Sequence, residues 1–318
     1  MRYDFAPMEG VTGYLFRNTH RRLFPGIHRY WMPFWPPTQD HVITPRVLRA
    51  IQPEHNEGTP AVPQLLTKSA PDFLWAAGVL KDMGYREVNL NLGCPSGTVT
   101  AKGKGAGFLA DLEGLRRFLD EVFSAVEMEV SVKTRLGIRD PAEFGPILEL
   151  YNQYPLKELV VHVRVRDDQY KRPARPEAFA LALEKSRCKV VYNGDLKTAS
   201  DCADFSQRFP AAETAMIGRG LLADPALIMR IQGGPALTAG DLGRFSEALY
   251  EGYCRDFGSA RNAMLRMKEL WRYWILLFEH GEDFAKKLRK ATDPRVFVAL
   301  TREMQRTLPL RAEPRIDW

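Results

Sequence analysis

The sequence predicts a (β/α)8 TIM barrel over residues 1–232, followed by an all-helical domain over residues 233–318. Three observations carry that prediction. Short apolar runs of strand length alternate with amphipathic stretches of helical period, the pattern of βα units around a parallel sheet, and eight such runs can be counted. No Gly-x-Gly-x-x-Gly follows the first run, and the glycine-rich stretch after the fourth lacks P-loop spacing. Both absences count against a doubly wound open sheet and against a nucleotide triphosphatase. Finally, Gly233-Gly234-Pro235 punctuates the chain, and only helical patterns follow it.

The strands are read in order. Tyr3 to Ala6 is the first, stopped by Pro7-Met8-Glu9-Gly10, with a helix from Thr12 to Leu23. Ile27 to Trp31 is the second, and Pro33, Pro36 and Pro37 force an irregular loop after it. Ala61 to Leu65 is the third, followed by a helix from Pro71 to Met83. Glu87 to Leu92 alternates, with Val88, Leu90 and Leu92 on one face and Asn89 and Asn91 on the other, and gives the fourth. A helix from Leu112 to Val126 follows it. Glu129 to Thr134, Glu158 to His162, Lys189 to Tyr192 and Thr214 to Ile217 complete the set. Their helices run from Pro141 to Tyr151, Pro176 to Leu183, Thr198 to Phe209 and Asp224 to Ile231. The tail predicts helices over Asp241 to Asp256, Ala260 to Glu279, Asp283 to Lys290 and Pro294 to Arg306, carrying many Lys and Arg.

Composition narrows the class. With 318 residues, 45% apolar and 26% charged, the chain can bury a sizeable core. A net charge of +6 suits a polyanionic partner without requiring one. The cysteines at 94, 188, 202 and 254 are spread without metal-ligand spacing, so no metal and no structural disulfide is expected. There is no signal-peptide pattern and no apolar run of membrane length, and the expectation is a cytoplasmic monomer with no membrane partner.

Barrels of this class place their chemistry at the C-terminal ends of the strands. The residues predicted there are Pro7, Met8 and Glu9; Gln64; Asn91 and Cys94; Lys133 and Arg135; His162 and Arg164; Asn193, Gly194 and Asp195; and Gly218 and Arg219. Cys94 sits before a proline that ends its strand, and a loop with Gly97, Gly103, Gly105, Gly107, Lys102 and Lys104 follows. Glycines there permit close backbone approach to a ligand. A thiol with a pKa of about 8.5 is mostly protonated at neutral pH and can donate a proton, although a nucleophilic role is also open. Lys133 points into the barrel from its strand, where it can hydrogen-bond an electron-poor ring or form a Schiff base, unless it lies on an exposed edge. His162 can bind a phosphate or ring oxygen, or be a satisfied core imidazole. Gly194, Gly218 and Arg219, after the last two strands, occupy the usual phosphate corner of the fold. Tyr30, Trp31, Phe34 and Trp35 are either core aromatics or an exposed stacking surface.

The segments APMEGVT, PQL, NLGCPSGTV with GKGAGFL, VKTRLG, VHVR with Gln169-Tyr170, YNGD and MIGRG occur in one order over about the first 220 residues. Together they resemble the tRNA-dihydrouridine synthase family, and Asn-x-Gly-Cys-Pro is the most specific piece. The resemblance implies an FMN-dependent oxidoreductase that takes electrons from NADPH and reduces the C5–C6 bond of chosen uridines in tRNA. It implies Cys94 as general acid at C5, opposite the hydride delivered to C6. Pro7, Met8, Glu9, Gln64, Lys133, His162, Asn193, Gly194, Asp195, Gly218 and Arg219 would hold the flavin, and Asn91, Arg135 and Arg164 the substrate. The basic helical tail would bind tRNA. Two stretches depart from the family pattern: YWMPFWPP after the second strand, where a Thr-Glu pair is usual, and VRVRDDQYKRPARP after His162, where Gly-Arg-Thr is common. They leave the uridine position open. The alternative is an FMN-dependent barrel acting on a small pyrimidine-like substrate.

Overall fold

The computed structural model describes residues 1–316. Nine parallel strands form one sheet in the order β3-β2-β1-β9-β8-β7-β6-β5-β4. They are β1 Arg2–Phe5, β2 Arg29–Trp31, β3 Ala61–Val62, β4 Gln64–Leu65, β5 Glu87–Leu92, β6 Glu129–Arg135, β7 Glu158–His162, β8 Lys189–Asn193 and β9 Thr214–Ile217. The two outermost strands, β3 and β4, are halves of the predicted third strand, cut at Pro63. Proline has no N–H to give a ladder. Its carbonyl still accepts the Asn89 N–H at 2.9 Å, while β3 pairs with β2 and β4 with β5. The sheet therefore meets itself across one residue, and the architecture is the predicted eight-stranded barrel with its third strand broken.

Strand alternation sorts the side chains. Val88, Leu90 and Leu92 face outward into the main core under the surrounding helices. Ala6, Trp31, Val62, Val160, Val191 and Met216 form a separate, smaller cluster. That cluster is the apolar side of the barrel lumen, and Gln64, Asn89 and Ser131 are buried as its polar side. The N-terminal end is closed by charge. Arg29 bonds Asp4 at 2.9 Å, Glu158 at 2.6 Å and Glu87 at 3.3 Å, and Lys157 reaches Glu87 at 2.8 Å. Buried carboxylates survive there because each has a cation.

The aromatic stretch after β2 is largely core: Tyr30, Trp31 and Trp35 are buried, and Trp35 packs edge-on against Trp75. Between it and β3 lies an unpredicted helix, Pro45–Ile51, capped by Thr44 with proline in its first turn. The predicted helix Asp224 to Ile231 shortens to Leu227–Ile231, and a separate short helix, Arg219–Ala223, precedes it, with Pro225 between the two.

The tail has helices Ala239–Phe257, Ala260–Trp274, Glu282–Lys290 and Pro294–Thr307. The predicted helix to Glu279 ends at Trp274 and continues as a 3-10 turn, Ile275–Leu277. The tail packs against barrel helix Tyr14–Leu23: Phe245 meets Phe16 at 5.6 Å and Phe24 at 5.2 Å between ring centroids. One apolar core runs through both parts.

Candidate active site

Strand β5 delivers Asn91 to the barrel mouth and turns at Gly93. The Asn91 Oδ1 accepts the backbone N–H groups of Gly93 at 3.0 Å and Cys94 at 2.9 Å, so a side chain of the strand holds the turn that carries the thiol. The glycine-rich loop then folds back under that turn. Ala106 donates its N–H to the Cys94 carbonyl at 3.0 Å. Gly105 has φ +57°, and a Cβ there would lie 2.9 Å from the Cys94 carbonyl oxygen. The close approach anticipated at this loop is thus to the Cys94 backbone. Lys102 is exposed and Lys104 half-exposed.

Cys94 itself is half-buried. Burial pushes its thiol pKa up, against a lowering from the Ser96 backbone N–H and the charges of Arg135 and Lys133. The thiol is therefore a protonated group at neutral pH. Beside it, a groove of about 440 Å³ is lined by Pro95, Gly97, Thr100, Ala101, Arg166, Asp167 and Gln169. A second groove, about 500 Å³, lies around Leu112, Ile138 and Ile147 and shares only Arg166 with the first.

Strand β6 contributes Lys133 and Arg135. Lys133 Nζ donates to Asn193 Oδ1 at 2.8 Å, and Asn193 Nδ2 is fixed on the Met216 carbonyl at 2.9 Å. Burial, reinforced by the charge of Arg135, pushes the Lys133 amine down to about 7. Arg135 donates to the carbonyls of Gly93, Val165 and Gln169 at 2.9, 2.9 and 3.0 Å. Its Nη2 is buried with no hydrogen-bond partner among the described residues. Burial lowers its pKa as well.

His162, at the end of β7, is buried, and desolvation plus the charges of Arg135, Lys133, Arg164 and Arg219 hold its pKa well below the usual range. It is a neutral imidazole. Its Nε2 lies 3.1 Å from Arg164 Nη1. Arg164 is buried, donates to the Arg172 carbonyl at 2.7 Å and bonds Asp195. Asp195 also accepts from the Ala174 N–H at 3.1 Å and from Arg219 at 3.1 Å. Burial works against its charge, but the bond from Arg164 and the charges of Arg164 and Arg219 hold its carboxyl below the usual value. Exposed Tyr170 has the Arg135 guanidinium 5.2 Å and the Arg219 guanidinium 5.1 Å from its ring centre.

At β1, Met8 is anchored through its N–H on Thr12 Oγ1 at 2.8 Å. A Cβ on Gly218 would lie 3.6 Å from the Met8 sulfur, which brings the ends of β1 and β9 together. Gly194 has its neighbour Tyr192 beneath it, with a hypothetical Cβ only 2.1 Å from the phenol oxygen. Glu9 stands apart from the buried set: it is exposed and paired with Arg46 at 2.8 Å. Gln64 is buried, accepting from Asn91 at 2.7 Å and donating to Asn89 at 2.7 Å.

One end of the barrel therefore gathers a neutral thiol, a lysine poised near neutrality, a neutral imidazole and a set of arginines. Tyr170 belongs to this region too, and Asn89 and Ser131 line the lumen below it, none of the three having been expected as functional residues. The signal for Asn89 lay in its alternation with Asn91. No group of three or more His, Cys, Asp or Glu able to hold a metal occurs among the described residues. No helix among them is long and apolar enough to cross a membrane.

Known proteins give the same direction. The family model described as Dihydrouridine synthase (Dus) matches residues 4–246. The chain is 31% identical over 249 residues to the tRNA-dihydrouridine(16) synthase of Ralstonia nicotianae, covering 76% of this chain and 75% of that protein. It is 29% identical over 315 residues to a probable tRNA-dihydrouridine synthase of Rhodobacter capsulatus, covering 93% and 92%. Among solved structures it is similar to a morphinone reductase, with TM-score 0.52 and 15% identity, covering 74% of this chain and 86% of that one. It is also similar to a 2-naphthoyl-CoA reductase, with TM-score 0.55 and 11% identity, covering 74% and 50%. At those identities the structural likeness is one of fold.

Proposed function

Since this chain belongs to the dihydrouridine synthase family, we propose that it is an oxidoreductase that reduces the C5–C6 bond of uridine in tRNA to dihydrouridine, using FMN and electrons from NADPH. The observation that carries the reading is the neutral Cys94 thiol held beside Asn91, Lys133 and Arg135 at one barrel mouth.

The residues present fit a flavin. Arg135 Nη2 is buried without a hydrogen-bond partner among the described residues, and the Lys133 amine, bonded to Asn193, has lost most of its preference for the charged form; both suit an electron-rich or anionic neighbour. Gln64 and Lys133 would face its ring. Pro7, Met8 and Glu9 would lie along it, with Glu9 at the exposed margin. His162, Asn193, Gly194, Asp195, Gly218 and Arg219 would hold its ribityl chain and phosphate. Asp195, already an acceptor from three donors, serves there by aiming arginines and not by touching phosphate. Buried Arg164, expected on the substrate side, has its guanidinium on Asp195, His162 and the Arg172 carbonyl, and would act on the phosphate corner through the first two.

When bound, the reduced flavin supplies a hydride to C6 of the uracil. The chain's part is to complete the addition. Cys94 holds a proton for C5, and burial keeps that proton on sulfur until negative charge develops. Arg135 and Lys133 place positive charge where that charge grows. Asn91 orients the base. The base must leave its stack, at a cost of a few kcal/mol that basic contacts to the tRNA backbone offset. Residues 233–318 would form the tRNA-binding domain, with Arg261, Lys286, Lys287, Arg289 and Lys290 as backbone contacts. Lys268 is less suited, since its ammonium is bound to the carbonyls of Arg289 at 3.0 Å and Ala291 at 2.5 Å.

Uridine 16 is the first position to examine, because relatives at about 30% identity carry that specificity in their names. Mapping dihydrouridine in tRNA from cells lacking this protein tests the proposal. Loss at one position supports it; an unchanged map contradicts it. An effect confined to free pyrimidines would instead favour a small-molecule reductase.

A further inference from the structure

We propose that Asn89 and Ser131 are positioning residues for this reaction: neither belongs to the mouth, but together they lock the Gln64 and Asn91 amides in one orientation. The proposal rests on the reading of Gln64 and Asn91 as groups facing flavin and uracil, and adds what sets their direction.

A single file of hydrogen bonds runs up the lumen. Ser131 Oγ donates to Glu87 Oε1 at 2.7 Å. Asn89 Nδ2 donates to Ser131 Oγ at 3.0 Å. Gln64 Nε2 donates to Asn89 Oδ1 at 2.7 Å, and Asn91 Nδ2 donates to Gln64 Oε1 at 2.7 Å. Asn91 Oδ1 then accepts from Gly93 and Cys94. All five side chains are buried. The strand register makes this possible: Gln64, Asn89 and Ser131 are direct neighbours across β4, β5 and β6.

An amide can be turned end for end at almost no change in shape, so something must choose. Here both ends of the file choose the same way. At the lower end, Glu87 has its other oxygen against Arg29 and Lys157, and a carboxylate can only accept. The Ser131 hydroxyl must donate to it, so it accepts from the Asn89 amide nitrogen, and each amide above follows. At the upper end, two backbone N–H groups can only donate, so the Asn91 oxygen must face them. Reversing any one amide would set oxygen against oxygen or nitrogen against nitrogen in a buried row.

The chemical consequence reaches the mouth. Both lone pairs of Asn91 Oδ1 are taken, and one amide hydrogen goes to Gln64. What Asn91 retains for a pyrimidine is one N–H, matched to a ring carbonyl oxygen and not to the N3–H. Gln64 retains one N–H and one lone pair for the flavin edge. Removing the Ser131 hydroxyl leaves the Asn89 amide nitrogen without its acceptor and the file held from its upper end alone, so the Asn89 and Gln64 amides lose one of their two restraints.

The test compares Ser131→Ala with Ser131→Thr, which keeps the hydroxyl, in holoenzyme reduced under anaerobic conditions and mixed with unmodified tRNA transcript. S131A should slow flavin reoxidation by tRNA at least tenfold at saturating tRNA, shift the visible spectrum of the oxidised flavin, and leave half-saturation by tRNA little changed. S131T should restore both rate and spectrum. If S131A does not accumulate folded, Ser131→Cys, a close fit with a weak donor, takes its place. A variant that only lowers the melting temperature, with wild-type reoxidation rate and spectrum, overturns the proposal while leaving the uridine-reductase reading intact. A wild-type protein that reduces no tRNA uridine removes that reading itself.

Discussion

The side-chain oxygen of Asn91 accepts the backbone N–H of Cys94 at 2.9 Å. The residue proposed to face the pyrimidine is thus also the one that holds the proton donor's turn in place. Base position and acid position are set by one side chain, so an Asn91 variant disturbs both, and cleaner experiments act on either side of it.

Gly105 is one such position. Its φ of +57° and the 2.9 Å approach to the Cys94 carbonyl make alanine unfavourable twice over, through backbone strain and through contact with backbone. Gly105→Ala should displace Cys94 and lower kcat for tRNA reduction by about 10-fold or more, an order-of-magnitude expectation for a misplaced reactive group. Flavin content should remain near wild type. Steady-state kinetics with a flavin assay checks this; unchanged kcat would show that the loop does not brace the thiol.

The Lys133 amine gives a pH signature in the ligand-free protein. Its pKa falls from an ordinary 10.5 to about 7 on folding. Between those values the unfolded chain binds a proton that the folded chain does not, so this residue's contribution to stability rises with pH across the window. Below about pH 7 the full penalty of burying the charge applies. Melting temperatures of wild type and Lys133→Met should therefore converge, or cross in favour of wild type, from pH 7 to 10. A difference independent of pH would mean that Lys133 titrates as an exposed lysine.

Much of this geometry was legible in the sequence, for a physical reason. The alternation in Glu87–Leu92 assigns Asn89 and Asn91 to the face opposite Val88, Leu90 and Leu92, and in a barrel that face is the lumen. Strand ends and glycines then located Cys94, Lys133, His162 and Asn193 at one mouth. What escaped depends on contacts distant in sequence. Nothing local to Glu9 announces Arg46, and nothing local to Asp195 announces three donors. The break at Pro63 was hidden because strand pairing with different neighbours on either side leaves no trace in hydropathy. Apolar content alone could not separate core aromatics from a stacking platform at Tyr30–Trp35; burial does.

Asp195 offers a test of the phosphate corner. Removing it leaves buried Arg164 without its counter-charge. Loss of one partner from a buried pair costs roughly 3–5 kcal/mol. Asp195→Ala should lower the melting temperature and release flavin on gel filtration. A variant with wild-type melting and flavin content would place the phosphate elsewhere.

Binding of tRNA should weaken steeply with salt, since each released phosphate contact adds to the slope. Replacing Lys286, Lys287 and Lys290 together by alanine should reduce that slope by about 3, one per contact, and leave the flavin spectrum unchanged. Filter binding across a salt series measures it; an unaltered slope would exclude the tail from the interface.

The most direct measurement is single-turnover reoxidation of prereduced flavin by unmodified tRNA in wild type and Cys94→Ala. General-acid catalysis is worth about 10²–10⁴-fold, and the variant should be slower by that factor while NADPH reduces its flavin at the wild-type rate. Equal reoxidation rates, with dihydrouridine formed by both proteins, would contradict the assignment of the C5 proton to Cys94.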